Sequence, residues 1–425
     1  MPGKTAEKVE APLSPDSSID CDDCDYPDGG YRAWMVVLGA WCMLLAPMGL
    51  INGLGILQAW TFEHQLHGYS ESSIGWIYGT FAFFVFAAGA QAGPIFDTYG
   101  VHVVIIPGSI GLVVSLVCFS FSNEYYQMFL SFSILGGLSG SLLYTPVIAC
   151  IGHWFNKRRA FATGVALTAG GLGGAIFPLI ILFAAPTIGF NWAIRIFALL
   201  TALLCTCGCF LLRTRLPPNT KAGASVDFRA LRDVRYGVNV FAIFLIEFAF
   251  MIPFSYIPSY ARHVGLSNQL SWLLTIIINL AGIPGRSITG FVADRIGRFN
   301  SLVVTSCICS ALTLALWLPA GSNLKTLICY AIFFGYWSGA GFSLAPVSVS
   351  QVCDTADYGK RNGTAYTVAS IGTLISIPVG GAIIERAGGD YWGVIVFGGG
   401  LYFASMMAFF AARVICVGWN LRVIF

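Results

Sequence analysis

Arg286 stands inside a long apolar run, Asn279-Leu-Ala-Gly-Ile-Pro-Gly-Arg286. A guanidinium at lipid depth costs roughly 3 kcal/mol on insertion scales, so it must face a wet cavity or a partner. Guanidinium is also the group best shaped to grip a carboxylate through two parallel hydrogen bonds. Glu247 is the one acidic residue deep in another apolar run. A carboxyl withdrawn from water is a candidate proton carrier, or it could simply neutralise Arg286. Asn52 and Asn279 can donate and accept hydrogen bonds in a pocket, and Tyr144, Trp337 and Tyr366 can wall one. The candidate substrate contacts are therefore Arg286, Asn52, Asn279, Tyr144 and Trp337, with Glu247 as the proton-coupling candidate.

The elements that must hold these residues follow from composition. Of 425 residues, 56% are apolar and only 10% charged, against roughly 25% charged in soluble domains. A chain this apolar cannot cover itself in water, and it is too hydrophobic to be disordered. The apolar runs are continuous, unlike the short alternating strands of a membrane barrel. Each run is near the roughly 20 residues one spanning helix needs. Twelve are visible, at 33–60, 74–96, 101–121, 126–151, 160–183, 192–212, 237–260, 270–292, 300–319, 324–350, 362–385 and 391–414. The expected fold is an all-α membrane protein: a polar tail (1–32), a six-helix bundle (33–212), a central loop (213–236), a second six-helix bundle (237–414) and a short tail (415–425).

Basic residues orient the chain. With both termini in the cytosol, 18 of the 23 Lys and Arg fall on the cytosolic side and four on the other, as the positive-inside rule requires. The net charge of +3 is too small to suggest nucleic acid. The two halves also repeat. Gly93-x-x-x-Asp97-x-x-Gly100 returns as Gly290-x-x-x-Asp294-x-x-Gly297, Pro146 as Pro346, and Lys157-Arg158 as Lys360-Arg361. Two six-span units inserted the same way enclose a site near the midplane in one large transporter architecture.

The loop Gly290-Phe-Val-Ala-Asp294-Arg295-Ile-Gly297-Arg298 unites close-packing glycines, a carboxylate that can seat on a helix end, and two cations. It suits a latch that holds one conformation and releases in another. Gly93, Asp97 and Gly100 repeat the frame without arginines, so that half of the latch should be weaker. The cluster Lys157, Arg158 and Arg159 opens the fifth span on the same face. The loop resembles the signature of the major facilitator superfamily. Asp28-Gly-Gly-Tyr-Arg-Ala-Trp34, whose Asp can cap the first helix, and His153-Trp-Phe-Asn-Lys-Arg-Arg-Ala-Phe-Ala-Thr-Gly164 resemble the two signatures of its monocarboxylate transporter-like branch, fungal type. That resemblance implies a substrate-pairing arginine at Arg286. The chain departs from it at Gly282, where the family often has Asp, and at Asn52, where it has a buried Lys.

The expected function is a secondary transporter or facilitator of a small organic anion, a monocarboxylate or carboxylated metabolite, with spans 1, 4, 7 and 10 lining the path. The alternative is an exporter of a larger, less polar natural product, which the 14% aromatic content favours; a non-transporting sensor is a remote third. An enzyme is not expected, since the five histidines are scattered and most of the 13 cysteines sit in apolar runs as small hydrophobes. Cys21-Asp-Asp-Cys24 lacks the further ligands a metal site needs, and no cofactor is implied. The partners are the substrate, protons and the bilayer. The default address is the plasma membrane, with the vacuole or another internal membrane as the alternative.

Overall fold

Inside a bilayer every backbone N–H and C=O must be satisfied within the protein, which leaves helices as the outcome for long apolar runs. The computed structural model describes residues 26–69, 71–216 and 228–419, and among these there is no strand. Twelve helices are long and apolar enough to cross a membrane. They are α1 (Gly30–Glu63), α2 (Ser73–Tyr99), α3 (His102–Phe121), α4 (Tyr125–Gly152), α5 (Arg159–Ile188), α6 (Phe190–Leu211), α7 (Val234–His263), α8 (Asn268–Ile296), α9 (Arg298–Trp317), α10 (Leu324–Val349), α11 (Thr355–Arg386) and α12 (Trp392–Val417). Eleven match the spans read from the sequence to within a few residues. The exception is α11, which begins earlier, so Lys360 and Arg361 sit in its first turns rather than in a loop. The Cys21/Cys24 pair, Lys4, Lys8, Lys221, Arg422 and the Pro217-Pro218 stretch lie outside the described residues.

The two halves pack by one scheme. In the first, α1 lies against α5 and α6, α2 against α4, and α3 against α6. In the second, α7 lies against α11 and α12, α8 against α10, and α9 against α12. Each contact recurs six helices later, which is the duplication that the repeated motifs announce. α1, α4, α7 and α10 are buried over 78, 78, 72 and 67% of their most apolar windows, whereas α6 and α12 reach 33 and 39%. The first four are therefore central. α3 and α6 turn Ile110, Phe121, Leu199 and Phe210 outward, as a lipid-facing surface requires.

The halves meet along two seams, α5 on α8 and α2 on α11. Small residues allow this, because in lipid close packing replaces the hydrophobic drive. A β-carbon added to Gly93 would strike the Gly359 carbonyl, and one on Gly363 the Gly89 carbonyl. On the other seam Gly164 lies against the Arg286 carbonyl and Gly290 against that of Ala160.

Asp28 does not cap α1. The N-cap is Gly29, with no side-chain bond. Asp28, the one non-glycine at positive φ (46°) among the described residues, instead accepts from Asn156 N (2.8 Å) and Arg158 N (3.2 Å). The chain turns there to reach the α4–α5 loop, and Tyr26 continues into the other half, donating to Thr355 Oγ1 at 2.9 Å. Both described ends therefore lie on one face of the bundle, where Arg413 near the end of α12 also meets Asn300 at the start of α9.

Gly363→Val places a branched side chain against backbone at the α2–α11 seam. The seam should fail to close on the face of the termini, and Asn362→Cys in that background should react with a water-soluble maleimide that leaves Asn362→Cys alone untouched. Equal reactivity of the two would refute the seam.

Candidate functional site

One central cavity opens between the halves, walled by α1, α2, α7, α8 and α11. Its lining falls in the parts of these helices remote from the termini: Asn52 to Glu63 of α1, Phe250 to Arg262 of α7, Trp272 of α8, and Thr373 and Ile377 of α11. It is thus open on the face opposite the termini and closed on theirs. Its interior is aromatic and amide-rich rather than charged. Phe254 stacks on Phe250 (4.3 Å between centroids), and Phe250 on Phe342 of α10 (5.2 Å). Gln58 and Asn52 supply amides, while the charges Glu63 and Arg262 are at the rim.

Asn52 forms part of the floor. Its amide donates to the Gly170 carbonyl at 2.9 Å, and Asn279 donates to Thr275 O at 3.1 Å and to Asn52 O at 3.5 Å. Arg286 lies directly behind. A β-carbon placed on Gly170 would be 3.5 Å from the Asn52 amide nitrogen and 3.7 Å from Arg286 Nη1, so both side chains flank one glycine. The guanidinium is 1% exposed, stands over the Phe342 ring at 5.7 Å, and leaves Nε and Nη1 without a hydrogen-bond partner. It is not a lining residue of the cavity in this state.

Arg286 and Glu247 form no ion pair, so mutual neutralisation does not account for either. Glu247, fully buried on α7, has both oxygens unpartnered, and the Tyr366 side chain lies within electrostatic reach of it without a well-formed hydrogen bond. Tyr366 packs edge-on against Tyr144 (5.3 Å), and Phe86 of α2 touches both rings. The hydroxyls of Tyr144 and Tyr366 are also unpartnered. Buried polar groups are nearly always satisfied, which sets this cluster spanning both halves apart from ordinary helix packing. Trp337 is not brought to the cavity; it packs on Tyr336 (5.3 Å) on the flank of α10. Trp272, Phe250 and Phe254 take the aromatic role instead. No local motif singles them out, because their importance comes from helices meeting in space.

The face of the termini is closed by two related contacts. Asp294 accepts from the α5 backbone at Ala160 N (3.1 Å) and Phe161 N (2.9 Å), and Arg298 reaches it at 3.2 Å. Arg298 also donates to the Asn156 carbonyl, at 2.5 Å. Asp97 accepts from Lys360 N at 2.7 Å, in the first turns of α11. Each carboxylate thus sits on the start of a helix of the opposite half, where free N–H groups and the helix dipole favour a negative charge. Gly100 (φ 88°) and Gly297 (φ 97°) end the two motif helices in a backbone conformation that L side chains resist. Arg159 is buried and donates to Phe155 O, Gly152 O and Thr355 Oγ1, the last across the halves. Lys157 and Arg158 remain exposed, and Arg295 lies over Phe291 of its own helix at 4.1 Å. Burial, then Arg159 and Arg215, push the His153 imidazole beside this cluster down to about 4, so it stays neutral at ordinary pH.

This arrangement, two parallel six-helix units with a cavity at their junction and a latch at one end, is that of a membrane carrier. The sequence profile described as Major Facilitator Superfamily matches residues 36–334. Among similar proteins, the riboflavin transporter MCH5 of Saccharomyces cerevisiae is 34% identical over 419 residues, covering 93% of this chain and 80% of that one. The aspyridones efflux protein apdF of Emericella nidulans is 32% identical over 413 residues, covering 95% and 82%. Among solved structures, the human organic anion transporter MFSD10 superposes with a TM-score of 0.70 at 17% identity, covering 89% and 98%. The chain belongs to the major facilitator superfamily: it is a multi-pass membrane transporter of small molecules and not an enzyme.

Asp294→Asn should weaken the latch more than Asp97→Asn, since Asp294 also holds Arg298. A hydrogen bond to a charged group contributes about 1.5–3 kcal/mol, so the closed-to-open ratio on this face should fall by roughly tenfold or more. Alkylation of Thr163→Cys by a water-soluble maleimide reads this directly; an equal effect of the two substitutions would contradict the ranking.

Proposed function

We propose that this transporter moves a medium-sized, partly aromatic organic metabolite, and that it does so as an exporter. The observation that carries the reading is the cavity lining: stacked Phe250 and Phe254, with Trp272, and Asn52 and Gln58 as neutral hydrogen-bonding groups, the exposed Glu63 and Arg262 being its charges. A small carboxylate gains little from such walls, whereas a flat, largely apolar solute gains both burial and ring contacts. The efflux role printed for the aspyridones relative supports the direction. The positive-inside count supports termini in the cytosol; on that reading the present state is outward-open, at the plasma membrane by default.

Arg286 supports a second reading, that the solute carries an acid group. It is the cation nearest the floor and it lacks a carboxylate partner. When the outer side closes and the inner side opens, Asn52 and Asn279 must shift, and Arg286 with Tyr144, Tyr366 and Glu247 becomes the wall of the inner cavity. Glu247 is then the group placed to exchange a proton with the cytosol.

Counterflow in proteoliposomes tests both. Riboflavin, a planar aromatic acid and lactate are offered with and without a pH gradient. The proposal expects saturable flux of an aromatic solute, lost in Trp272→Ala, with lactate handled poorly. Arg286→Ala should abolish flux of the aromatic acid and Arg286→Lys retain a little, while Glu247→Gln should remove any response to the gradient. Robust lactate flux indifferent to Trp272 would overturn the aromatic reading; indifference to both Arg286 variants would remove the acid group.

A further inference from the structure

The central cavity does not end at its mouth. A second cleft runs sideways from it between α2 and α11, and the two share Gln58, Gly79, Tyr256, Ser259 and Ile377 as lining. Toward the termini the same two helices touch backbone to backbone, at Gly93 with Gly359 and Gly89 with Gly363. Away from the termini they part. A β-carbon on Gly79 would meet nothing within 4 Å, and one on Gly75 would meet only the Gln58 amide, which belongs to α1. No α11 atom lies within 4 Å of either position.

The cleft walls have a graded chemistry. Trp76, Leu374, Pro378 and Ala382 are apolar, and Ser259, Tyr391 and Glu385 are polar. Trp76 is 48% exposed, and Ile371, further toward the termini on α11, is 51% exposed. Large apolar side chains left uncovered on a spanning helix face hydrocarbon, and Trp and Tyr settle at the boundary between hydrocarbon and water. The cleft therefore meets the bilayer at interfacial depth, with an apolar wall toward the lipid and a polar end at the membrane surface.

We propose that the α2–α11 cleft is a lateral portal, through which an amphiphilic substrate passes between the cavity and the adjoining membrane leaflet. This rests on the cavity being the substrate site and narrows the substrate class to molecules that partition into membranes. Each methylene of such a solute is more stable in the bilayer than in water, so a route through water alone would forfeit that stabilisation. The portal lets the apolar part stay along Trp76, Leu374 and Pro378 while the polar part follows Ser259 and Gln58 inward.

The test uses the full chain in liposomes and two photoreactive probes, a diazirine-bearing palmitic acid that resides in the bilayer and water-soluble 4-azidobenzoate. Labelled residues are mapped by mass spectrometry. The portal expects the lipid probe to label the cleft and to reach Phe250, Phe254 or Trp272. Gly75→Trp, which fills the cleft from α2, should remove most of that cavity labelling, and so should Ala382→Trp, which fills it from α11. Labelling of the cavity by 4-azidobenzoate should persist in both and reports that they are folded. Lipid-probe labelling of the cavity that survives both substitutions, or none in the unaltered protein, overturns the portal. Failure of 4-azidobenzoate to label the unaltered cavity would instead count against the aromatic-solute reading and leave the lipid-probe comparison to decide the portal.

Discussion

A carboxylate seated on the first turns of a helix in the opposite half is the contact on which this structure's state depends. It occurs twice, as Asp294 on α5 and Asp97 on α11. In lipid there is no hydrophobic force to hold two bundles together, so these polar contacts at the membrane edge add to the close packing that joins the halves on this face. Helix starts are suited to this because their first N–H groups have no partner within the helix. The glycines beneath, Gly93 and Gly290, let the helices approach until those N–H groups come within reach. Arg298 couples one contact to the Asn156 carbonyl, and the Tyr26–Thr355–Arg159 cluster joins the two halves on the same face.

Closure at one end fixes what the cavity offers at the other. The open side presents rings and amides, while Arg286, Glu247, Tyr144 and Tyr366 are held back with polar atoms unpartnered. Unsatisfied buried groups are costly, and their cost is relieved only when that region is hydrated or occupied. The latch and the buried cluster thus oppose each other: one favours closure, the other favours opening. A carrier needs such a balance, because two states of similar free energy exchange readily whereas one deep minimum does not.

Much of this was legible in the sequence, for physical reasons. Spans are long-range averages of hydropathy, and eleven of the twelve spans lie within about five residues of the observed helices. α11 escaped because Lys360 and Arg361 read as a loop, although a helix start at the membrane edge tolerates both charges. The latch residues Asp97, Asp294 and Arg298 could be named from spacing, since their turns are encoded locally by Gly100 and Gly297. Their donors could not: the N–H groups of Ala160, Phe161 and Lys360 are backbone groups with no side-chain signature. Asp28 differs from expectation for a related reason: an Asp before a helix suggests a cap on that helix, while this carboxylate reaches the α4–α5 loop. In the cavity, polar outliers such as Asn52 and Arg286 stood out against an apolar background. Trp272 and Phe254 did not, as one aromatic residue among many in a membrane helix says nothing about which way it faces. Trp337 is the converse, an aromatic singled out in sequence that packs on the flank of α10.

The central claim is that two rigid halves rock about the cavity, so that one end opens as the other shuts. Double electron–electron resonance measures this most directly, with one label pair at Glu63 and Arg262 across the open mouth and another at Lys157 and Arg361 across the latched face. The account expects two populations in each pair that shift in opposite directions: conditions that shorten the mouth distance lengthen the other by a matching fraction of molecules. A mouth that narrows while the latched face keeps a single unchanged distance would contradict it.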